Sequence, residues 1–205
     1  SASPSPEATD APEPDAPAAN DEDRAAQASS ESEEPPTMAA PDETGRGTWM
    51  HDSVGWWWRR ADGTYPHSQW VGIGGSRYYF YGSGYMATGW FRDGADWFFL
   101  ASSGALVGGW LRDGGQWYYL DPNSGVMRTG MTGVDGTWYY LDSSGAMRTG
   151  WAHLDDGWHY FASSGSQIGG WLRDGGQWYY LDPASGVMRT GMTGVDGTWY
   201  YLDSS

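Results

Sequence analysis

The side chains in this sequence with chemistry to offer are rings, and their spacing is regular. Trp110 and Trp117 stand seven positions apart, and Trp117 runs directly into Tyr118-Tyr119-Leu120. Pairs with the same spacing lie at Trp49/Trp56, Trp90/Trp97, Trp151/Trp158 and Trp171/Trp178. A ring face attracts a cation through its quadrupole, by about 0.5–2 kcal/mol per well-placed ring. A quaternary ammonium group has no N–H to give to polar walls, so a box of rings suits it. A sugar also stacks its C–H face on tryptophan, but its hydroxyls call for Asp, Asn or Arg alongside.

Other chemistries find little material. His51, His67, His153 and His159 show no metal-ligand spacing, and the chain has no cysteine to join them. His159 takes the place of the first tyrosine in a Trp-Tyr-Tyr run, which reads as packing. The aspartates, Asp113 and Asp121 among them, sit at turns, where the carboxylate bonds nearby backbone N–H groups. Asp121/Asn123 and Asp155/Asp156 lie in no EF-hand or RTX-like calcium motif. The serines fall in Ser-Ser-Gly loops without a nucleophile elbow. The reading is no catalytic residue, no metal and no cofactor. The absence of cysteine also excludes disulfides and a thiol nucleophile. The net charge of −15, with all 11 basic residues Arg, argues against a nucleic-acid partner. No apolar run has the length of a membrane span.

The elements that must position the rings are short. Units begin at Trp49, Trp70, Trp90, Trp110, Met131, Trp151, Trp171 and Met192, at nearly equal intervals. A longer period is present too. Residues 109–144 and 170–205 differ only at Asn123 and Ala184, so three successive units together make a super-repeat. Its second copy starts at Trp151 and is expected to continue past Ser205, where the first copy reads GAMRTG. Within a unit, Trp110-Leu111-Arg112 reads as a strand. Asp113-Gly114-Gly115 reads as a tight turn supplied with positive φ. Trp117–Leu120 reads as the returning strand, and Asp121–Gly125 as a second turn. A lone hairpin is marginal in water, so the units are expected to stack as a solenoid. The expected fold is all-β: about eight hairpins over 49–205, preceded by a disordered acidic Ala/Pro/Glu-rich linker over 1–48. That linker holds no Trp, Tyr or Phe, eight of the 11 prolines and a net charge of −10. No signal peptide is visible and Ser1 is not a start, so processing of the N-terminus is expected.

Side chains alternate along a strand. Trp117 and Tyr119 therefore share one face, and Tyr118 and Leu120 the other, which carries the aliphatic residue and is expected to be core. One reading makes every ring a packing residue. The recurrence of rings at grooves between units favours ligand contact, with two rings from one hairpin and one from the next.

The pattern GW-x₆-WYYL-x₄₋₅-G-x-M-x-x-G resembles the choline-binding, or cell-wall-binding, repeats of Gram-positive surface proteins and murein hydrolases. The resemblance implies hairpins stacked as a left-handed superhelix with choline held between successive hairpins. It implies a cage of the opening Trp, the second Trp and the second Tyr of the next unit. Those triads are Trp49/Trp56/Tyr79, Trp90/Trp97/Tyr119, Trp110/Trp117/Tyr140, Trp151/Trp158/Tyr180 and Trp171/Trp178/Tyr201. Loop residues Leu106, Met127, Met147 and Met188 are expected beside them. The Trp70, Met131 and Met192 units depart from the pattern, with Arg77 in place of the second Trp in the first and Met in place of the opening Trp in the others. Their grooves are expected to be weak or structural, and Gln167 stands where a loop Met or Leu is usual. The implied function is a non-catalytic module anchoring a surface protein or murein hydrolase to choline or phosphocholine of wall teichoic or lipoteichoic acid. The implied location is secreted, on the bacterial cell surface, with pairing into a homodimer through terminal repeats. Similar repeats bind glucans and other polysaccharides, or form the C-terminal targeting part of an amidase or lysozyme, and both alternatives stay open.

Overall fold

A computed structural model describes residues 41–203. These residues fold as sixteen strands paired in eight two-stranded antiparallel hairpins. They fall in two compact units that divide between Arg128 and Thr129. The first unit holds β1 (Gly47–His51) with β2 (Trp56–Arg60), β3 (Gln69–Ile73) with β4 (Ser76–Phe80), β5 (Gly89–Asp93) with β6 (Asp96–Leu100), and β7 (Gly109–Asp113) with β8 (Gln116–Leu120). The second holds β9 (Gly130–Val134) with β10 (Thr137–Leu141), β11 (Gly150–Leu154) with β12 (Gly157–Phe161), β13 (Gly170–Asp174) with β14 (Gln177–Leu181), and β15 (Gly191–Val195) with β16 (Thr198–Leu202).

The turns follow the local sequence. Gly114 and Gly115, with φ of 55° and 82°, close β7 onto β8 in a conformation that a residue with a Cβ rarely adopts. The register then sets Trp110 opposite Tyr119 and Arg112 opposite Trp117.

No hairpin joins a wider sheet among the described residues, so stability comes from stacking within each unit. Phe80, Leu100 and Leu120 in the first unit, and Leu141, Phe161 and Leu181 in the second, are 0% exposed. All six end the returning strand of their hairpin, on the face expected to be core. Five loops are also tied to the hairpin before their own. The N–H groups of Met86, Leu106 and Met127 donate to the carbonyls of Trp56, Arg77 and Trp97, and those of Gln167 and Met188 to Trp138 and Trp158.

The expected linker boundary at residue 48 is too late. Pro41 and Glu43 exchange backbone hydrogen bonds with Gly72. Glu43 is buried and accepts from Arg60 Nε at 2.8 Å. Composition hid this because the segment carries no aromatic ring; it is held by backbone pairing and one ion pair. The remainder of the expected linker, 1–40, lies outside the described residues.

Candidate ligand-binding grooves

Each groove is framed by one hairpin and closed by those that follow. Trp90 and Trp97 lie on the same face of the β5–β6 hairpin, their ring centroids 6.5 Å apart and their planes at 82°. Tyr118 of the next hairpin makes the third wall, 4.8 Å from Trp90. Met127, tied to the Trp97 carbonyl, sits alongside. The frame recurs at Trp49/Trp56, 6.5 Å apart at 85°, with Tyr78 at 5.0 Å from Trp49 and Met86 tied to Trp56. Here Trp49, Trp56, Tyr78 and Met86, with Ser102 and Ser103 of the loop two hairpins along, line a cavity of about 350 Å³. In the second unit Trp151/Trp158 are 6.4 Å apart at 84°, with Tyr179 4.7 Å from Trp151 and Met188 beside them. Trp171/Trp178 are 6.3 Å apart at 88°, with Tyr200 4.8 Å from Trp171.

The rings are pinned from behind. The indole N–H of Trp70, Trp90 and Trp151 donates to Asp93, Asp113 and Asp174 of the following hairpin at 2.9, 2.9 and 3.0 Å. The turn-bonding role expected for Asp113 gives way to this one. These aspartates end a strand and orient the neighbouring tryptophan, and their signal is an Asp three positions after the opening Trp90, Trp110 and Trp171. The second Trp is backed by its cross-strand partner. Arg92 and Arg173 lie 6.0 Å from the rings of Trp97 and Trp178. His51 and His153 lie 4.7 and 5.0 Å from Trp56 and Trp158. Trp56, Trp97 and Trp158 nevertheless remain 47%, 41% and 44% exposed, so these rings keep surface free for a guest.

The third ring of each frame differs from the expected one. Tyr79, Tyr119 and Tyr180 each stand across the hairpin from its opening Trp. They pack on the opening Trp of their own hairpin, 5.4, 5.1 and 5.1 Å from Trp70, Trp110 and Trp171. Tyr140 faces Met131 across its hairpin and stacks on Phe161. Tyr201 faces Met192 and is 77% exposed. The reason is that hairpins stack front to back. A Trp-bearing face meets the opposite face of the next hairpin, and alternation puts the first Tyr of the run on that face. Trp110 and Trp117, 6.3 Å apart at 89°, belong to the first unit, and Tyr140 to the second. Leu106 is tied to Arg77 and so lies away from any Trp pair. Met86 was missed, although Gly84-Tyr85-Met86 matches Gly145-Ala146-Met147 in register.

Comparison with known proteins names this arrangement. The model of the choline-binding repeat matches residues 107–149 and 148–192, and that of a cell wall binding repeat matches 68–86, 88–106 and 195–205. The chain belongs to the choline-binding repeat family. Among solved structures it is similar to CbpJ of Streptococcus pneumoniae TIGR4, with 35% identity and a TM-score of 0.70 over 73% of this chain and 55% of that one. It is similar to choline binding protein F of Streptococcus pneumoniae, with 38% identity and a TM-score of 0.65 over 73% of this chain and 53% of that one. It thus spans about half the length of these relatives. A lysozyme of Streptococcus phage Cp-1 matches at 55% identity over 29 residues, 14% of this chain and 9% of the lysozyme.

Two of these choline-binding repeats have grooves that are filled from within. In the β3–β4 hairpin, Arg77 replaces the second Trp. Its Nη2 crosses the groove and donates to the carbonyls of Asn123 and Ser124, both at 2.9 Å, in the loop two hairpins along. Burial pushes its pKa down from the ordinary guanidinium value. Over the β9–β10 hairpin, Gln167 from the loop of the next hairpin donates through Nε2 to the carbonyl of Ser185 at 3.0 Å and lies 2.8 Å from His159 Nδ1. His159, 2% exposed, bonds Asp156 Oδ1 at 2.8 Å through its other nitrogen. Its role is packing and bonding inside the groove.

Proposed function

We propose that the chain is a non-catalytic cell-wall-binding module whose open grooves hold choline groups of wall teichoic or lipoteichoic acid. The observation that carries this reading is the repeated frame of two perpendicular tryptophans, one tyrosine from the next hairpin and, in three of the grooves, a loop methionine. Its walls are ring faces and its upper wall is thioether, so a trimethylammonium group meets π density on several sides and loses no hydrogen bond on entry. Three rings at about 0.5–2 kcal/mol each correspond to a site on the order of millimolar. Several such grooves on one chain, facing a polymer that bears many cholines, raise avidity by roughly 10²–10⁴. The module would thereby anchor a surface protein or murein hydrolase at the bacterial cell surface. The likeness to choline binding protein F and the short match to a phage lysozyme support both kinds of parent.

The test is retention of the full chain on a tertiary- or quaternary-amine resin. A chain of net charge −15 sticks to any such resin at low salt, so binding is measured at about 1 M NaCl, where the Debye length falls to about 3 Å. Retention there and elution by millimolar choline are expected. Passage through the column, or elution by dextran and not by choline, would overturn the reading in favour of a polysaccharide ligand or none.

A further inference from the structure

The groove frame has a fixed composition: two tryptophans from one hairpin, a ring and a loop residue from the next, and a loop from the one after. Shifting that frame back by one hairpin lands on the β1–β2 hairpin and on side chains that no Trp pair uses. Trp57 stands at the position of Tyr78 and Tyr118. Tyr65 stands at the position of Met86. A Cβ on Gly84 would come within 2.6 Å of the Tyr65 ring, and one on Gly104 within 2.0 Å of the Met86 sulfur, so both loops stack in the same way. Trp57 and Tyr65 meet at 6.2 Å and 78°. With Ser83, Gly84 and Tyr85 from the next loop they line a cavity of about 310 Å³, close to the 350 Å³ or so of the Trp49/Trp56 groove.

What stands in the missing wall is a carboxylate. Asp52, in the β1–β2 turn, lines the same cavity. Its Oδ1 accepts from the N–H of Val54 at 2.9 Å and of Gly55 at 3.3 Å, and its Oδ2 from the Tyr85 hydroxyl at 3.0 Å. The Val54 N–H above all holds this carboxyl below its ordinary value, so it is charged at neutral pH. Three accepted hydrogen bonds fix this negative charge in place at the cavity wall. We infer that Trp57, Tyr65 and Asp52 form a further binding site for a small organic cation, a quaternary ammonium of choline's size, in which the charge of Asp52 replaces the two absent indoles.

The inference rests on the groove chemistry proposed above, and the experiment separates the two. The full chain is labelled with 5-fluorotryptophan, and the fluorine resonances of Trp49, Trp56 and Trp57 are assigned through single Trp→Phe variants. Choline is titrated in at about 0.1 M NaCl, where the charge of Asp52 is still felt at contact. The Trp57 resonance is expected to move and saturate, and Asp52→Asn to weaken that transition about two- to fivefold, the range of an exposed ion pair. Trp57 unmoved while Trp49 and Trp56 shift overturns this site and leaves the grooves standing. Trp57 moving alone supports this site and counts against the grooves. A Trp57 transition unchanged by Asp52→Asn, or produced by dextran instead of choline, overturns the cation assignment.

Discussion

Arg77 makes the sharpest test of how the grooves work, because it is a cation already in place. Its guanidinium spans the β3–β4 groove to the carbonyls of Asn123 and Ser124. Around it stand Trp70, Phe98 at 5.1 Å from Trp70, and Leu106. Arg77→Trp removes the resident charge and restores the ring that the other frames have. Three rings at about 0.5–2 kcal/mol each then favour a choline on the order of millimolar, like the neighbouring grooves. Isothermal titration at high salt is expected to give one more choline per chain than the parent. The companion Arg77→Met keeps the aliphatic stem and removes both hydrogen bonds without adding a ring. A hydrogen bond from a charged group contributes about 1.5–3 kcal/mol when well buried. Arg77 is half-buried, so water replaces much of each bond, and a total of roughly 1–2 kcal/mol is expected. That corresponds to a melting temperature lower by about 4–8 °C per kcal/mol for a cooperative unit of this size. Choline stoichiometry should be unchanged in Arg77→Met. A folded Arg77→Trp protein that binds no more choline than the parent would refute the argument that the arginine occupies a ligand position.

Two further outcomes follow from the same geometry. Asp113→Ala should leave the Trp90 indole N–H without its acceptor, cost about 1 kcal/mol in urea unfolding and weaken choline binding in the Trp90/Trp97 groove, whereas Asp113→Asn, which keeps an acceptor, should restore most of both. Acid should act through the loop aspartates: the Ser144 hydroxyl holds the Asp142 carboxyl, and Arg189 the Asp182 carboxyl, below the ordinary 3.8. Folded values below unfolded ones give stability that is present above about pH 4 and lost as pH falls through the folded values. Melting curves should therefore be flat from pH 7 to about 5 and fall below about pH 4, and a fall between pH 7 and 5 would contradict the assignment.

The hairpins were legible because glycine and the period-two strands leave few alternatives. Gly114-Gly115 fixes where the chain reverses, and Trp117–Leu120 fixes which side chains share a face. The front-to-back stacking was not legible in one hairpin. It is a relation between two, and only it decides whether Tyr118 or Tyr119 enters the preceding groove. The alternation already set Tyr118 opposite Trp117, so the correct ring follows once unlike faces are known to meet. Asp113 was misread for a similar reason. Its partner, Trp90, is 23 residues away, whereas a turn role needed only its immediate neighbours. Glu43 and Pro41 were hidden because backbone pairing to Gly72 leaves no mark in composition.

The off-pattern hairpins begin at Trp70, Met131 and Met192, each one super-repeat after the last. In the first two, a side-chain nitrogen reaches the carbonyl of Ser124 or Ser185, which are related by the same long period. The donors themselves are unrelated: Arg77 lies on a strand of the groove's own hairpin, and Gln167 in the loop of the next. Two different residues thus satisfy one acceptor at one place in the frame. The same loop position lines the Trp49/Trp56 cavity as Ser103, where no such donor crosses among the described residues. A carbonyl that an N–H donor meets in both closed grooves marks where a donor is favoured. The closed grooves therefore differ in kind from the others: the protein supplies a hydrogen-bonding donor where it fills the space itself and ring faces where it does not.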